Sequence, residues 1–498
     1  MVLHKKARAH RGGRVVISIV PAGGGQVKAG DAFRLLAGRL FGLFRIAHRL
    51  RMWYHERQKL APPAMPRGVK DVGYMEKRIT ERVLVQLRRW RRILVLAVIA
   101  AGLGVLAGLL DAVFGRGILA VTALRERYPL LLAGLPAAGL LIVFVYRKWG
   151  GDCGRGMGLV FDAVAGRRQG VPKRLIPLAI GATWVTHLFG GSVGREGVAV
   201  QVSASAASLL LPGLRTARAK RHLLIAAVAA GFSGLFRTPI AAVFFALELF
   251  HAGVMEYDAL LPAIVASLVA TAVSGALGVT PGKAVLGAAP LPSTPDTLVV
   301  LALLGLVSGL AGWLFVTLLH GLKDRFGRWM PNPYLRIALV GALVAVFGLA
   351  TAGRYNGLSE ELSATALAGG TLYVWDWLAK LVLTAVCLAA GFQGGEVAPL
   401  FTIGAALGAV LAGPLGLPVG LAAALGYSAV FAAGTNTLIA PILVGLELFG
   451  GQYFGCFFLV CGVAYVCNGG HSIYPQTRLP DPWHKPARAA NHKTEAEP

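Results

Sequence analysis

Two glutamates in this chain carry their chemistry in what surrounds them. Glu196 follows Gly191-Ser192-Val193-Gly194-Arg195 and precedes Gly197; Glu396 follows Gly391-Phe392-Gln393-Gly394-Gly395 and precedes Val397. Both stand among apolar residues, and a charged carboxylate at bilayer depth costs on the order of 3 kcal/mol, so each implies a use. Each comes directly after glycines where a helix begins. Such a helix start offers unpaired N–H groups and a partial positive charge, which together make an anion site. Glycine lets the backbone come close to the ion. A third turn of this kind is Gly154-Arg155-Gly156-Met157-Gly158. Three glycine-opened starts can converge on one dehydrated anion, with Gly156, Gly158, Gly194, Arg195, Gly197 and Gly395 in the turns themselves. An ionised carboxylate in such a place competes with the anion for the same N–H groups. Once protonated it swings away or donates a hydrogen bond, so Glu196 and Glu396 read as gating and proton-carrying groups.

The elements that position these turns are duplicated. In the first half, Gly194-Arg195-Glu196-Gly197 leads through a small-residue helix to Arg237-Thr238-Pro239-Ile240-Ala241-Ala242 and on to Leu247-Glu248-Leu249-Phe250. In the second, Gly394-Gly395-Glu396-Val397 leads to Leu438-Ile439-Ala440-Pro441 and on to Leu446-Glu447-Leu448-Phe449. Glu248 follows Glu196, and Glu447 follows Glu396, at nearly equal separations of 52 and 51 residues. Repeats in transporters are commonly inverted, with the site where the halves meet near the midplane. Glu248 and Glu447 themselves read as structural, capping or pairing near a membrane face.

Composition says what those elements are embedded in. Of 498 residues, 56% are hydrophobic and 14% charged, too little charge to cover a soluble protein of this size. Ile93–Leu110, Ala259–Gly282, Leu298–Leu322 and Ile337–Gly353 contain no Asp, Glu, Lys or Arg, and Val397–Leu446 is uncharged for 50 residues. A bilayer core needs about 20 apolar residues per helix, so the fold is an all-α polytopic membrane protein. The apolar pattern places helices near 84–113, 122–147, 156–168, 173–189, 195–211, 218–235, 238–252, 256–279, 296–324 and 333–353. A second set follows at 358–368, 374–391, 396–413, 418–433, 437–449 and 452–468. Residues 81–475 form the membrane domain, with repeats over about 85–280 and 295–475, and 476–498 are a short polar tail. Trp313, Trp329, Trp375 and Trp377 lie near span ends, as interfacial anchors do. The five cysteines (Cys153, Cys387, Cys456, Cys461, Cys467) have no metal spacing and read as packing residues; nothing in the pattern calls for a metal or a cofactor.

Residues 1–80 hold 17 Lys/Arg against 4 Asp/Glu, half of the net charge of +26. No apolar core follows the basic start, so no cleavable signal peptide is read there, and the positive-inside rule puts the segment in the cytoplasm. Nucleic acid would suit such a charge, but anionic lipid headgroups are the nearer partner. A start at Met65 or Met75 would remove most of it.

These residues resemble the CLC anion channels and transporters over roughly 85–475. Gly191-Ser192-Val193-Gly194-Arg195-Glu196-Gly197 is similar to that family's Gly-Arg/Lys-Glu-Gly-Pro motif, whose glutamate is the external gate and proton-coupling group. Gly395-Glu396-Val397-Ala398-Pro399 stands where the family has Gly-x-Phe-x-Pro. Tyr474, after His471-Ser472-Ile473, takes the place of the central pore tyrosine that opens the last helix, and Gly156-Met157-Gly158 the place of the Gly-Ser-Gly-Ile-Pro turn. The resemblance implies two inverted repeats whose broken helices meet at a central anion site, a homodimer, and a multi-pass location in the bacterial inner membrane. It adds Met157, Val397, Ala398 and Tyr474 to the anion-binding set.

The departures point to one branch. Met157 replaces the serine that chloride members use at the central site, Val198 replaces the proline after the gating motif, and Glu396 stands where they carry an apolar residue. Leu249 fits the absence of the inner proton-transfer glutamate. Together these resemble the fluoride-selective CLC branch, which exchanges fluoride for protons and exports fluoride from bacteria. Ala398 differs from that branch, which has a threonine there. A methionine offers no strong donor, so selectivity rests on backbone N–H groups, Tyr474 and protonated carboxyls. Two other readings compete: a chloride channel or chloride/proton antiporter of the same fold, and an intramembrane serine protease in which Gly231-Phe232-Ser233-Gly234 resembles the rhomboid Gly-x-Ser-Gly, with His251 or His320 as base.

Overall fold

The computed structural model describes residues 70–477 apart from 281, 283–285, 288–290 and 292–293. Most of the basic segment expected over 1–80, up to residue 69, and the polar tail beyond 477 lie outside the described residues. The chain packs as two units that divide after Arg88. Of the first, residues 70–88 are described and helical. The helices that build the second are the end of α1 (Lys70–Arg127), α2 (Leu135–Val145), α3 (Met157–Val164), α4 (Leu175–Leu188), α5 (Glu196–Ala207), α6 (Ala217–Phe236), α7 (Pro239–Glu248), α8 (Leu260–Ala276), α9 (Pro295–Trp329) and α10 (Pro333–Ala350). They continue with α11 (Glu360–Leu367), α12 (Asp376–Ala390), α13 (Val397–Leu415), α14 (Val419–Thr435), α15 (Ile439–Phe449) and α16 (Phe454–Cys467).

Six stretches are long and apolar enough to cross a bilayer: Ile93–Arg127, Pro129–Arg155, Tyr257–Ala276, Pro295–Trp329, Pro333–Ala350 and Val397–Leu415. Other apolar helices, among them α4, α7, α14 and α15, are shorter. At 1.5 Å per residue the 12 residues of α5 reach only about 18 Å, against a hydrocarbon core of about 30 Å. Such helices end inside the protein, where each orphan backbone group needs a partner that water cannot supply.

Those partners come from the other half of the molecule. Glu248, the last residue of α7, accepts from the N–H groups of Ile439 (3.0 Å), Ala440 (3.0 Å) and Leu438 (3.4 Å) at the start of α15. Glu447, near the end of α15, accepts from Ala241 N–H at the start of α7 (2.8 Å). The two Leu-Glu-Leu-Phe segments are therefore capping groups, each for its counterpart's helix. That exchange, repeated antiparallel at the glycine turns, is what two inverted repeats require. Close approach within a half uses glycine again: a Cβ on Gly408 would stand 2.0 Å from Ala422 O, and one on Gly404 2.1 Å from Gly426 O, so α13 and α14 touch backbone to backbone.

The sequence reading ends its first helix at 113 and starts the second at 122; the structure runs α1 through to Arg127. Phe114-Gly115-Arg116-Gly117 looks like a break but is a packing notch. A Cβ on Gly117 would lie 2.2 Å from the Trp184 ring, and Trp184 Nε1 donates to Phe114 O at 3.0 Å. The true break is Tyr128-Pro129, where proline cannot continue the ladder. At its other end α1 begins at Lys70, 14 residues before the expected start at 84. Beyond these first two helices the expected ones are present with ends moved by a few residues, the largest shift being α9, which extends from 324 to Trp329.

Removing the Glu248 carboxyl strands three amides at the α15 start. Glu248→Ala should cost about 1–2 kcal/mol of stability, and Glu248→Gln, which keeps one acceptor oxygen, roughly half of that. Chemical unfolding in detergent measures both; an unchanged midpoint for Glu248→Ala would contradict the capping role.

Candidate anion and proton site

The site forms where the two glycine turns meet. Gly194 N–H donates to Gly395 O at 2.7 Å and Gly395 N–H to Gly194 O at 2.8 Å, a single antiparallel bridge. This pair of bonds sets the start of α5 beside the start of α13. Only glycine fits: a Cβ on Gly194 would stand 2.7 Å from Pro399 Cδ and 2.9 Å from Gly395 O, and one on Gly395 2.9 Å from Gly197 N.

From this bridge the two glutamates project differently. Glu196 is 2% exposed. Its Oε2 accepts from Arg195 N–H at 3.3 Å, and its Oε1 lies 3.5 Å from Arg195 Nε. The Arg195 guanidinium also reaches Glu360 Oε1 at 3.3 Å, on the exposed first turn of α11. Glu396 is half-buried, and its Oε2 has no hydrogen-bond partner. That oxygen sits 3.4 Å from where a Gly197 Cβ would be, so the carboxyl of the second repeat faces the first turn of the first repeat's helix. Tyr474 is buried and lies within electrostatic reach of both carboxyls, Glu396 foremost. Its ring stacks on Phe161 of α3, centroids 5.9 Å apart.

The third turn arrives through α3. Gly156 takes φ +51°, a left-handed conformation that glycine adopts freely, and its open side faces the Gln201 amide of α5. Met157 is the first residue of α3 and is buried. Gly156, Met157, Gly194, Arg195, Gly197, Gly395, Val397, Ala398 and Tyr474 thus lie on the three turns or against them. Gly158 points elsewhere, towards Arg155 Cβ at 3.9 Å. Tyr474 stands on an irregular segment: no helix begins there among the described residues, and Ile473 N–H is held by Gly434 O at 2.9 Å.

A cavity of about 530 Å³ opens beside Glu196, with Arg195, Ala398, Phe401, Thr402 and Tyr427 among its walls. Tyr427 stacks on Phe401 at 4.2 Å and Phe401 on Phe236 at 5.0 Å, both within 9° of parallel, so one wall is a ladder of aromatic faces. Sequence reasoning passed over Tyr427, Phe401, Gln201 and Glu360. None lies in a motif: Gln201 and Phe401 stand more than a turn beyond the glycine turns, on α5 and α13, and Tyr427 and Glu360 reach the site from helices distant in sequence.

The protease reading finds no dyad. The Ser233 hydroxyl bonds to Ala230 O (3.1 Å) and Ser267 O (3.0 Å) inside α6 packing, His251 pairs with Glu256, and His320 lies against Ile473.

Comparison with known proteins places the chain among anion channels and transporters. The voltage gated chloride channel family profile matches residues 138–469. A chloride/fluoride channel protein of Pseudomonas syringae pv. tomato is 37% identical over 388 residues, covering 76% of this chain and 85% of the relative. The H(+)/Cl(-) exchange transporter ClcA of Yersinia pseudotuberculosis is 24% identical over 438 residues, 79% of this chain and 86% of the relative. The crystal structure of a CLC-type fluoride/proton antiporter superposes with a TM-score of 0.75 at 41% identity, covering 77% of this chain and 98% of that one.

Because the Gly194–Gly395 bridge admits no side chain, Gly395→Ala should weaken fluoride binding at least 10-fold while the protein still folds. Calorimetric titration of detergent-purified protein, read beside its unfolding midpoint, checks this; unaltered affinity would show that the bridge does not shape the site.

Proposed function

This chain belongs to the voltage-gated chloride channel (CLC) family, and we propose that it exchanges fluoride for protons, exporting fluoride across the bacterial inner membrane as a multi-pass protein. The observation that carries this reading is the bridge of Gly194 and Gly395, which puts two carboxyls, Glu196 and Glu396, at adjoining helix starts. A site with one carboxyl gates an anion. A site with two can also pass a proton between them.

Glu196 is the gate. Ionised, it keeps an oxygen on Arg195 N–H, the position an anion would take at the α5 start. Protonation weakens that hold, frees the N–H groups for fluoride, and leaves an acid that can donate to the ion. Glu396 then receives or returns the proton, its free Oε2 facing Gly197 across the bridge. Fluoride leaves as the proton enters. Met157, with no hydroxyl to offer, leaves the ion to backbone N–H groups and to Tyr474, which suits a small and strongly hydrogen-bonding halide better than a large one. The similarity to a fluoride/proton antiporter and to a chloride/fluoride channel protein supports fluoride as cargo, and assembly as a homodimer is part of the proposal.

Two substitutions separate the parts. Glu196→Gln mimics the protonated acid in shape but releases no proton, so it should bind fluoride yet drive none uphill on a proton gradient in proteoliposomes. Pumping that survives in Glu196→Gln would remove Glu196 from the gate.

Met157→Ser adds a donor usable by chloride as well as fluoride. It should narrow the fluoride preference by about 1–2 kcal/mol, roughly 5- to 30-fold, in efflux assays run with each halide. If the wild-type protein passes chloride as readily as fluoride, the chloride reading takes its place.

A further inference from the structure

Lys380 is the only charged residue between Asp376 and Glu396, and it is fully buried on α12. Its ammonium donates to Gly357 O (2.7 Å), Ser192 Oγ (3.0 Å) and Tyr355 O (3.2 Å). All three donors are used, and no acceptor is a carboxylate. These acceptors belong to two turns: Ser192 to the one that carries Arg195 and Glu196, Tyr355 and Gly357 to the one that leads into Glu360.

The rest of this α12 face serves the same two turns. Asp376, one helical turn before Lys380, accepts from Arg354 Nε (3.0 Å), Arg354 Nη2 (2.6 Å) and the Tyr355 hydroxyl (2.6 Å). Thr384, one turn after, shares a hydrogen bond with Ser192 Oγ at 3.0 Å, and Cys387 lies against the Ser192 backbone. Residues spaced by three and four form one stripe. Gly357 N–H donates directly to Gly191 O at 3.2 Å. Asn356 also packs against Gly190, and the two turns meet again where Arg195 bridges Glu196 and Glu360. The angle between the turns therefore decides how Arg195 divides itself between the two carboxylates.

A buried cation is an expensive way to join two loops, and an apolar side chain of the same length would pack at lower cost. We propose that Lys380 is a positioning residue for the exchange reaction: it clamps the Glu196 turn to the Glu360 turn and so fixes where Arg195 holds the gate. This rests on the reading of Glu196 as the gate.

The test is fluoride efflux and proton uptake followed together in proteoliposomes, with the full chain carrying Lys380→Met, Lys380→Arg or Ser192→Ala. Lys380→Met should lower fluoride turnover at least 10-fold and carry fewer than half the wild-type protons per fluoride, and Lys380→Arg should recover most of both. Ser192→Ala, which cuts the clamp on the gate side alone, should loosen the proton-to-fluoride ratio with little change in unfolding temperature. A merely structural lysine would reduce the folded yield and leave the ratio of the folded fraction intact. Wild-type turnover and ratio in folded Lys380→Met overturn the proposal; should that variant not fold, a wild-type ratio in Ser192→Ala does so. If the wild-type protein itself moves fluoride without protons, the exchange reading fails on its own, and the clamp is then judged by whether Lys380→Met slows fluoride and Lys380→Arg restores it.

Discussion

Two hydrogen bonds, Gly194 to Gly395 and back, are the constraint on which the rest of the structure depends. They require backbone to meet backbone in the middle of an apolar protein, so both positions must be glycine, and helices α5 and α13 must begin where they meet. Helix α5, with 12 residues, is too short to cross the bilayer alone, so its far end needs partners too. The exchange of caps by Glu248 and Glu447 answers the same need at the starts of α15 and α7. The anion site is thus the by-product of a symmetric junction: two helix starts brought together offer N–H groups to one point, and the carboxyls beside them supply the proton.

Several charges inside this protein are held by backbone groups. Glu248 lies on the N-terminus of α15 and Glu447 on that of α7. Cations lie on the carbonyls of helix C-termini: Arg125 Nη1 on His187 O at the end of α4 (3.0 Å), Arg336 Nε on Ala390 O at the end of α12 (3.1 Å). Each arrangement complements the dipole of the helix it closes. A chain whose helices break inside a bilayer has unpaired backbone of both signs to cover, and long charged side chains do this where water cannot.

That logic also explains what could be read from the sequence. The duplicated glycine–glutamate turns and Leu-Glu-Leu-Phe segments are local, and repetition at equal spacing made the two halves, the broken helices and the paired acids legible. Gly115 and Gly117 misled because a glycine that admits the Trp184 ring looks, in sequence, like one that ends a helix. Tyr427, Phe401 and Gln201 stayed hidden because their part depends on which helices touch. Lys380 did leave a signal, a single cation in an apolar stretch, but its acceptors are carbonyls, which no sequence pattern marks.

The exchanged caps set a schedule for biosynthesis. The N–H of Ala241 at the start of α7 is satisfied by Glu447, which lies 206 residues further along the chain. At ribosomal speeds of 5–20 residues per second that interval is roughly 10–40 s. Throughout it the first half sits in the membrane with a helix start that its own residues do not close. The nascent chain therefore needs the insertion machinery, or lipid headgroups drawn inward, as a stand-in until its second half arrives, and no half made separately would settle without the other.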